Sequence, residues 1–438
     1  MRVGIVGGGI AGLTAAYELG QRGHTPVVFE KRPELGGQAA TIEVGGERLE
    51  GFYHHIFTSD QEVRQLIDEL GLGGDLRWLD SRVGFYHRGR VYPFVTPLDL
   101  LRFRPLRPVD RVRLGLASLY LRRYRDWQRL EGVTAREWVT RYAGRRSYEV
   151  VWGPMLRNKF GDSLDEVGMV WLWGKIHLRL TSRQGEHEQL GYLDGSYGRL
   201  IDALGEAVLG SGGEIYTEAT ATAVAVEGGK VVGLRVGGEV HPCDAVIATV
   251  SSPDFLQLAP PLPAEYGAML RMARYQSAAC LVLALNQPFM DYYWLNIGES
   301  TMPFVAVIEH TNFVEPSRYR GRRILYVSNY LSSESPLYGM GPQGLLDEYL
   351  PYLQRINPRL DLSWVEESHV FREEWAQPIV TTDYLRQIPD HRTPVPGLYL
   401  ANTTQIYPED RGMNYSVRLG RQIADIVTAD GARHGEEG

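Results

Sequence analysis

Gly7, Gly9 and Gly12 form a G-x-G-x-x-G run within VGIVGGGIAGLTAAYELGQRGHTPVVFE, the stretch from Val3 to Glu30. Those residue types at that spacing suit a dinucleotide pyrophosphate: Gly7 permits a tight turn, Gly9 leaves the backbone open to a phosphate, and Gly12 lets helix and strand pack closely. The unpaired amides from Gly9 through Ile10 and Ala11 to Leu13 would then face the anion. Glu30 ends a second apolar strand 23 residues after Gly7, where an acid can accept from ribose hydroxyls. A second tight turn at Gly36-Gly37, followed by Gln38, offers another place for backbone to approach a ligand. A glycine turn in an ordinary α/β unit is the competing explanation, and the run by itself allows NAD or FAD.

Candidate polar groups for the chemistry come next. His54 and His55 follow the second glycine turn, Glu309-His310 ends the strand MPFVAVIEH, and Trp375 and Tyr384 lie in FREEWAQPIVTTDYL. Histidine titrates near neutrality, but each of these also reads as a hydrogen-bonded structural residue. Glu309-His310 is the more pointed pair, because two titratable groups end an apolar strand. Tyr292, Tyr293 and Trp294 fit either an aromatic cage or a core, and Arg88, Arg90 and Arg157 could clamp a carboxylate or phosphate.

The elements that position these residues follow from pattern. A chain of 438 residues exceeds one ordinary core, so two or three domains are expected. Cys243 and Cys280 stand far apart and outside any metal-ligand spacing, which argues against disulfides and zinc. The first strand begins almost at Met1, leaving no room for a signal peptide, and no long apolar run is present; both point to the cytoplasm. Ser59 and Glu62 have capping-box spacing before a helix carrying Val63, Leu66, Ile67 and Leu70, ended by Gly71. From Trp78 to Leu190 arginine- and aromatic-rich helices suggest an inserted domain. Glycine loop, helix and short strands return at Gly191, with hairpin turns at Gly228-Gly229 and Gly237-Gly238 and a buried strand in CDAVIATV. A proline-rich junction, PPLPAEY, leads into strands from about Ala278 to Val380 that suggest a sheet lining a pocket. A last strand, loop and helix follow, the helix with Val417, Ile423 and Ile426 on one face, and the polar tail from Thr428 is expected to be disordered.

Net charge is -7, yet the interval from Arg77 to Arg129 holds thirteen arginines, no lysine and four aspartates, and is therefore strongly basic. A solvated helical face explains that as well as an anionic substrate or an acidic membrane surface would. Nucleic acid is disfavoured, since no recognised motif accompanies the arginines.

These pieces together resemble the superfamily of flavin-dependent amine oxidases, protoporphyrinogen oxidases and phytoene desaturases. The resemblance rests on GGGIAGLTAAYEL with Glu30, the RPELGG turn, DGSYGRLIDAL with its following strands, and the carboxy-terminal strand, loop and helix. It implies an α/β chain: a Rossmann-like FAD-binding domain assembled from three segments (1–76, 191–255 and 391–428), with a mixed α+β substrate domain inserted twice (77–190 and 256–390) and a tail at 429–438. It implies FAD held by Gly7, Gly9, Ile10, Ala11, Gly12, Glu30, Lys31, Gly36, Gly37, Gln38, Val224, Asn402, Gly412, Met413 and Asn414. The last three would start a helix beneath the isoalloxazine, where unpaired amides stabilise charge on a reduced ring; a plain helix cap is the alternative. RVYPFVTPLDLLRFRPLRPVDRVRLGL is similar to the substrate domain of bacterial protoporphyrinogen oxidases, which favours a large or anionic substrate and leaves peripheral membrane contact open.

The departures narrow the chemistry. No lysine follows Lys230, whereas monoamine-oxidase-like enzymes carry one near flavin N5 on the strand that here reads YQSAACLVLAL. No cysteine lies at Leu400 to Thr403, so FAD is expected to be non-covalent. Asn402-Thr403 replaces the usual Gly-Asp, Gln38 the usual arginine, and Glu50-Gly51-Phe52-Tyr53-His54 the usual Asp-x-Gly-x-His. The leading expectation is an FAD-dependent oxidoreductase taking a hydride from a small-molecule substrate, anionic or lipophilic. The runner-up is a non-redox flavoenzyme similar to UDP-galactopyranose mutase, and a flavoprotein fold kept as a binding module is third.

Overall fold

Short apolar runs from three distant parts of the chain assemble one parallel sheet. The computed structural model describes residues 1–182 and 188–436. Its parallel sheet runs Glu214–Tyr216, Thr25–Phe29, Arg2–Val6, Ala245–Ala248, Leu398–Leu400. The strands read as near-continuous apolar sequence because both faces are covered. Helices Ile10–Gln21 and Met413–Glu436 bury Leu19, Leu419 and Ile423 against Val3, Ile5 and Ile247 on one side. A three-stranded antiparallel sheet, Ala221–Glu227, Lys230–Val236 and Glu239–Pro242, packs Val231 and Leu234 against Val27 and Val246 on the other. Its two turns are the expected glycine pairs, all four residues at positive φ, the geometry that two-residue hairpins need.

The second unit is a seven-stranded sheet with a helical layer between residues 97 and 181. Strands Val365–Pro378, Tyr275–Leu285, Arg323–Leu331, Ala306–Glu309 and Trp294–Ile297 come from the later insertion. The earlier insertion is not helical throughout: Val83–His87 and Arg90–Pro93 extend the same sheet, the first parallel to Trp294–Ile297. Alternation explains the placement, since Phe85 faces the helical core with Phe103 while Tyr86 faces the opposite core with Ile297.

Two local expectations need correcting. The helix Gln61–Glu69 is preceded by Asp60, and Ser59 with Glu62 forms no capping box. Asp60 instead accepts from the Phe57 amide at 2.8 Å, and the Val63 amide donates to Asn414 Oδ1 at 3.2 Å. The carboxy-terminal helix also continues past Thr428 to Glu436. Asp430 anchors that turn, accepting from Arg392 at 2.7 and 3.0 Å and from the Tyr399 hydroxyl at 3.1 Å. Among the described residues no helix is long and apolar enough to cross a membrane.

Candidate functional site

The carboxyl ends of four parallel strands open onto one cleft: Gly7, Glu30, Thr249 and Ala401, each just beyond its strand, all line it. Open α/β sheets bind ligands at this edge. Gly7 lies at φ 107°, a conformation L side chains rarely adopt. A Cβ on Gly12 would stand 2.1 Å from the Gly7 carbonyl oxygen, so helix and turn touch as the motif requires. A Cβ on Gly9 would meet nothing nearer than 3.8 Å. Packing therefore demands glycine at position 12, whereas at position 9 the open side is the cleft.

The second glycine turn lies against the first. Gly36 donates to the Gly8 carbonyl at 2.8 Å, and Gly36 and Gly37 both have positive φ. Glu30, 6% exposed, accepts from the Gly8 amide at 2.7 Å and the Arg32 amide at 2.9 Å. A carboxylate has about four acceptor sites, so it can still receive ribose hydroxyls. Two helices aim their amino termini at the cleft: Ile10–Gln21 through Ile10, Ala11 and Gly12, and Met413–Glu436 through Gly412, Met413 and Ser416. Unpaired amides at such ends favour negative charge. Backbone open to approach, a ribose acceptor and two helix termini together fit a dinucleotide.

Side chains complete the lining. His54, Gln38, Trp375 and Arg411 line the same cleft. His54 Nδ1 lies 2.6 Å from the Phe52 carbonyl, which makes Nδ1 the donor and leaves Nε2 as an acceptor. Burial pushes the His54 pKa down to about 4, so the ring is neutral at pH 7. The loop bearing it is pinned by Glu50, which accepts from the Tyr197 amide at 2.6 Å and the Tyr192 hydroxyl at 2.9 Å. Arg411 donates to Gln38 at 2.9 Å, Gln377 at 3.0 Å and the Tyr330 hydroxyl at 2.8 Å, neutral groups all.

Beside it Asp410, 7% exposed, accepts from Lys159 at 2.9 Å, Lys175 at 2.8 Å, Trp171 at 3.0 Å and Gln377 at 3.0 Å. Burial opposes ionisation of Asp410, but the lysines and Arg411 hold its pKa well below the carboxylate range. Burial likewise opposes ionisation of Tyr330, and Arg411 and Lys159 bring its pKa below the usual tyrosine value. Three cations thus share one carboxylate. Although no lysine follows Lys230, two earlier ones reach this neighbourhood from the helical layer.

Of the residues expected to hold the cofactor, Gly7, Gly9, Ile10, Ala11, Gly12, Glu30, Lys31, Gly36, Gly37, Gln38, Asn402, Gly412 and Met413 line the cleft. Two do not. Val224 packs in the core beneath the three-stranded sheet and borders a separate groove with Pro260 and Val395. Asn414 turns its side chain to the helix at Val63. Among the candidate polar groups, only His54 and Trp375 reach the cleft. His55 Nδ1 lies 3.0 Å from the Tyr293 hydroxyl, and His310 Nε2 lies 2.9 Å from the Tyr319 hydroxyl. Glu309 accepts from the amides of Phe289 at 3.1 Å and Met290 at 2.6 Å, and Tyr384 donates to the Thr404 carbonyl at 3.0 Å. Those four close off local backbone or core groups. Tyr293 stacks on Phe313 at 4.5 Å and Trp294 meets Tyr53 edge-on at 4.7 Å, so these two belong to the core, while Tyr292 is half-buried and outside the cleft. Arg88, Arg90 and Arg157 are exposed and outside the cleft.

Sequence reasoning missed Thr249, Ser251, Asp254 and Arg411. The first three were findable as polar residues at the end of the run CDAVIATV and just after it, beyond the strand Ala245–Ala248. Arg411 carried one signal, its place directly before the Gly412 turn.

The model of one family, described as flavin containing amine oxidoreductase, matches residues 10–428. A 15-cis-phytoene desaturase of Synechococcus elongatus is 42% identical over 79 residues, which is 18% of this chain and 17% of that protein. The chain thus matches less than one fifth of the length of such curated relatives, including the Narcissus enzyme at 15%. Among solved structures, one described as a putative protoporphyrinogen oxidase from an Exiguobacterium species superposes with a TM-score of 0.77 at 20% identity, covering 97% of this chain and 98% of that one. A reduced UDP-galactopyranose mutase gives 0.73 at 17% identity, covering 98% and 95%. At those identities the structural likenesses speak for the fold alone.

Proposed function

Because the chain belongs to the flavin containing amine oxidoreductases, we propose that it binds FAD non-covalently in the cleft and uses it to take a hydride from a substrate presented at the Arg411 end. The observation that carries this reading is the double glycine turn lying opposite the amino terminus of Met413–Glu436 across one cleft. Bound there, FAD supplies a two-electron acceptor at N5. Gly9 and the amides of Ile10 and Ala11 would hold the pyrophosphate, Glu30 the ribose, and Gly412 and Met413 the flavin end. Neither cysteine lines the cleft: Cys243 and Cys280 are buried elsewhere, and burial raises both thiols, Cys243 to about 11. That supports non-covalent attachment.

His54 Nε2 is the acceptor for any proton that leaves an O–H or N–H of the substrate as its C–H hydride departs. The surplus of positive charge at Arg411, Lys159 and Lys175 favours a substrate carrying a carboxylate or phosphate, and Trp375 offers an apolar face for its remainder. In an anaerobic cuvette, the purified protein with FAD should bleach on adding its substrate, screened among anionic and lipophilic compounds with oxidisable C–H bonds. The colour should return with oxygen or a quinone. Turnover seen only after dithionite reduction, with no net electron consumption, would overturn hydride transfer in favour of mutase-like chemistry.

A further inference from the structure

Away from the cleft, the helices Pro97–Arg102 and Pro108–Arg123 leave an apolar face in solvent. Of the fifteen exposed large hydrophobic side chains among the described residues, seven fall between Leu98 and Tyr120. Leu114, Ala117 and Leu121 bury the inner face of Pro108–Arg123. Val109, Val112, Leu116 and Leu119 recur at helical spacing on the opposite side, and each is more than half exposed. Leu98 and Leu101 extend the patch onto the shorter helix, and Tyr120 borders it, 5.2 Å from the Tyr124 ring. A helix apolar on both faces has one face for its own core and one for something else.

Charge says what that something is. Between Pro97 and Arg125 stand eight arginines, two aspartates and no lysine or glutamate. Among the described residues none of these arginines forms an ion pair. Arg111 donates to the carbonyls of Leu101 at 2.7 Å and Leu106 at 2.8 Å, and Arg113 caps the carbonyls of Tyr142 and Arg141. Arg102, Arg104, Arg107, Arg122, Arg123 and Arg125 are exposed around the apolar stripe. A second copy docking by the same face would bring like charges together, and a nucleic-acid backbone has no use for a central row of leucine and valine. Apolar side chains flanked by arginines, with an aromatic at the border, match the interface of an anionic bilayer.

We infer that this two-helix face is a membrane-docking surface that lies in the headgroup region of an anionic phospholipid bilayer, with Leu116 and Leu119 inserted and the flanking arginines on the phosphates. The inference rests on no part of the flavin reading. The test is co-sedimentation of the full chain with phosphatidylcholine vesicles, with or without about one third phosphatidylglycerol. At least tenfold tighter binding to the anionic vesicles is expected. Leu116→Glu with Leu119→Glu should weaken it at least tenfold. Arg122→Gln with Arg123→Gln should weaken it about tenfold and flatten its salt dependence. All four positions are exposed, so melting should match the wild type. Failure of the wild type to pellet with anionic vesicles overturns the inference, as does equal binding by a folded glutamate variant. A wild type that sediments as a dimer without lipid, and a glutamate variant that is monomeric, would replace the bilayer with a second copy.

Discussion

At one end of the cleft the ligand would meet backbone; at the other it would meet side chains. The nucleotide end is set by Gly7, Gly9, Gly12 and Glu30, within a single strand-turn-helix-strand unit, and closed by the Gly36 amide on the Gly8 carbonyl. The side-chain part of the lining gathers His54, Trp375 and Arg411 from three separated parts of the chain, and Arg411 reaches Gln38 across 373 positions. A local unit can be specified by spacing alone. A constellation assembled by two sheets depends on register, which shorter patterns do not encode.

The largest effect should come from separating what the fold demands from what the ligand demands. Gly12→Ala places a Cβ 2.1 Å from a backbone oxygen, and should cost about 3 kcal/mol or more in a thermal melt, with flavin lost. Gly9→Ala meets nothing nearer than 3.8 Å, so the apoprotein should melt within about 0.5 kcal/mol of wild type. Its FAD affinity should nonetheless fall about tenfold or more, or at least about 1.4 kcal/mol. If both variants destabilised the apoprotein equally, the distinction between the two glycines would fail.

At the other end, Arg411→Met removes a cation that hydrogen-bonds to Gln38, Gln377 and Tyr330 and to no carboxylate. FAD should stay bound, while its reduction potential in a dye-equilibrated titration falls on the order of 30 mV, about 1.4 kcal/mol for a two-electron couple. An unchanged potential would show that the guanidinium does not sense the flavin.

Away from both ends, Glu309 belongs to the core and not the cleft. Burial lifts its pKa from 4.5 to about 7, so below that pH the folded chain keeps a proton the unfolded chain has released. Its contribution is full below the unfolded value and is lost as pH rises through 7. Glu309→Gln should remove up to about 3 kcal/mol of that decline between pH 4.5 and 7.5, read as the difference between wild-type and variant denaturation curves. The buried neutral histidines His54, His55 and His310 titrate the opposite way and cancel in that difference. Flavin reduction should be unaffected, as expected of a residue that accepts from the Phe289 and Met290 amides.

The same contrast explains what was legible. The glycine turns, the hairpins at Gly228 and Gly237 and the resumed nucleotide unit depend on neighbours within a few residues, and they stand where the pattern put them. Glu309-His310 looked chemical because two titratable groups ended an apolar strand. Both turn inward, since amides and a tyrosine hydroxyl there lacked partners. Val224 and Asn414 were expected at FAD through resemblance alone, yet one packs under its own sheet and the other serves a helix 351 positions away. The polar stretch after Thr428 reads as a tail until Arg392 and Tyr399 supply partners for Asp430.

The central claim is that the cleft holds FAD without a covalent tether. The most direct measurement is flavin content per chain in purified or FAD-reconstituted protein, before and after acid precipitation. The account predicts about one FAD per chain, all of it in the acid supernatant. Colourless protein that cannot be reconstituted, or flavin that stays with the precipitate, would contradict it.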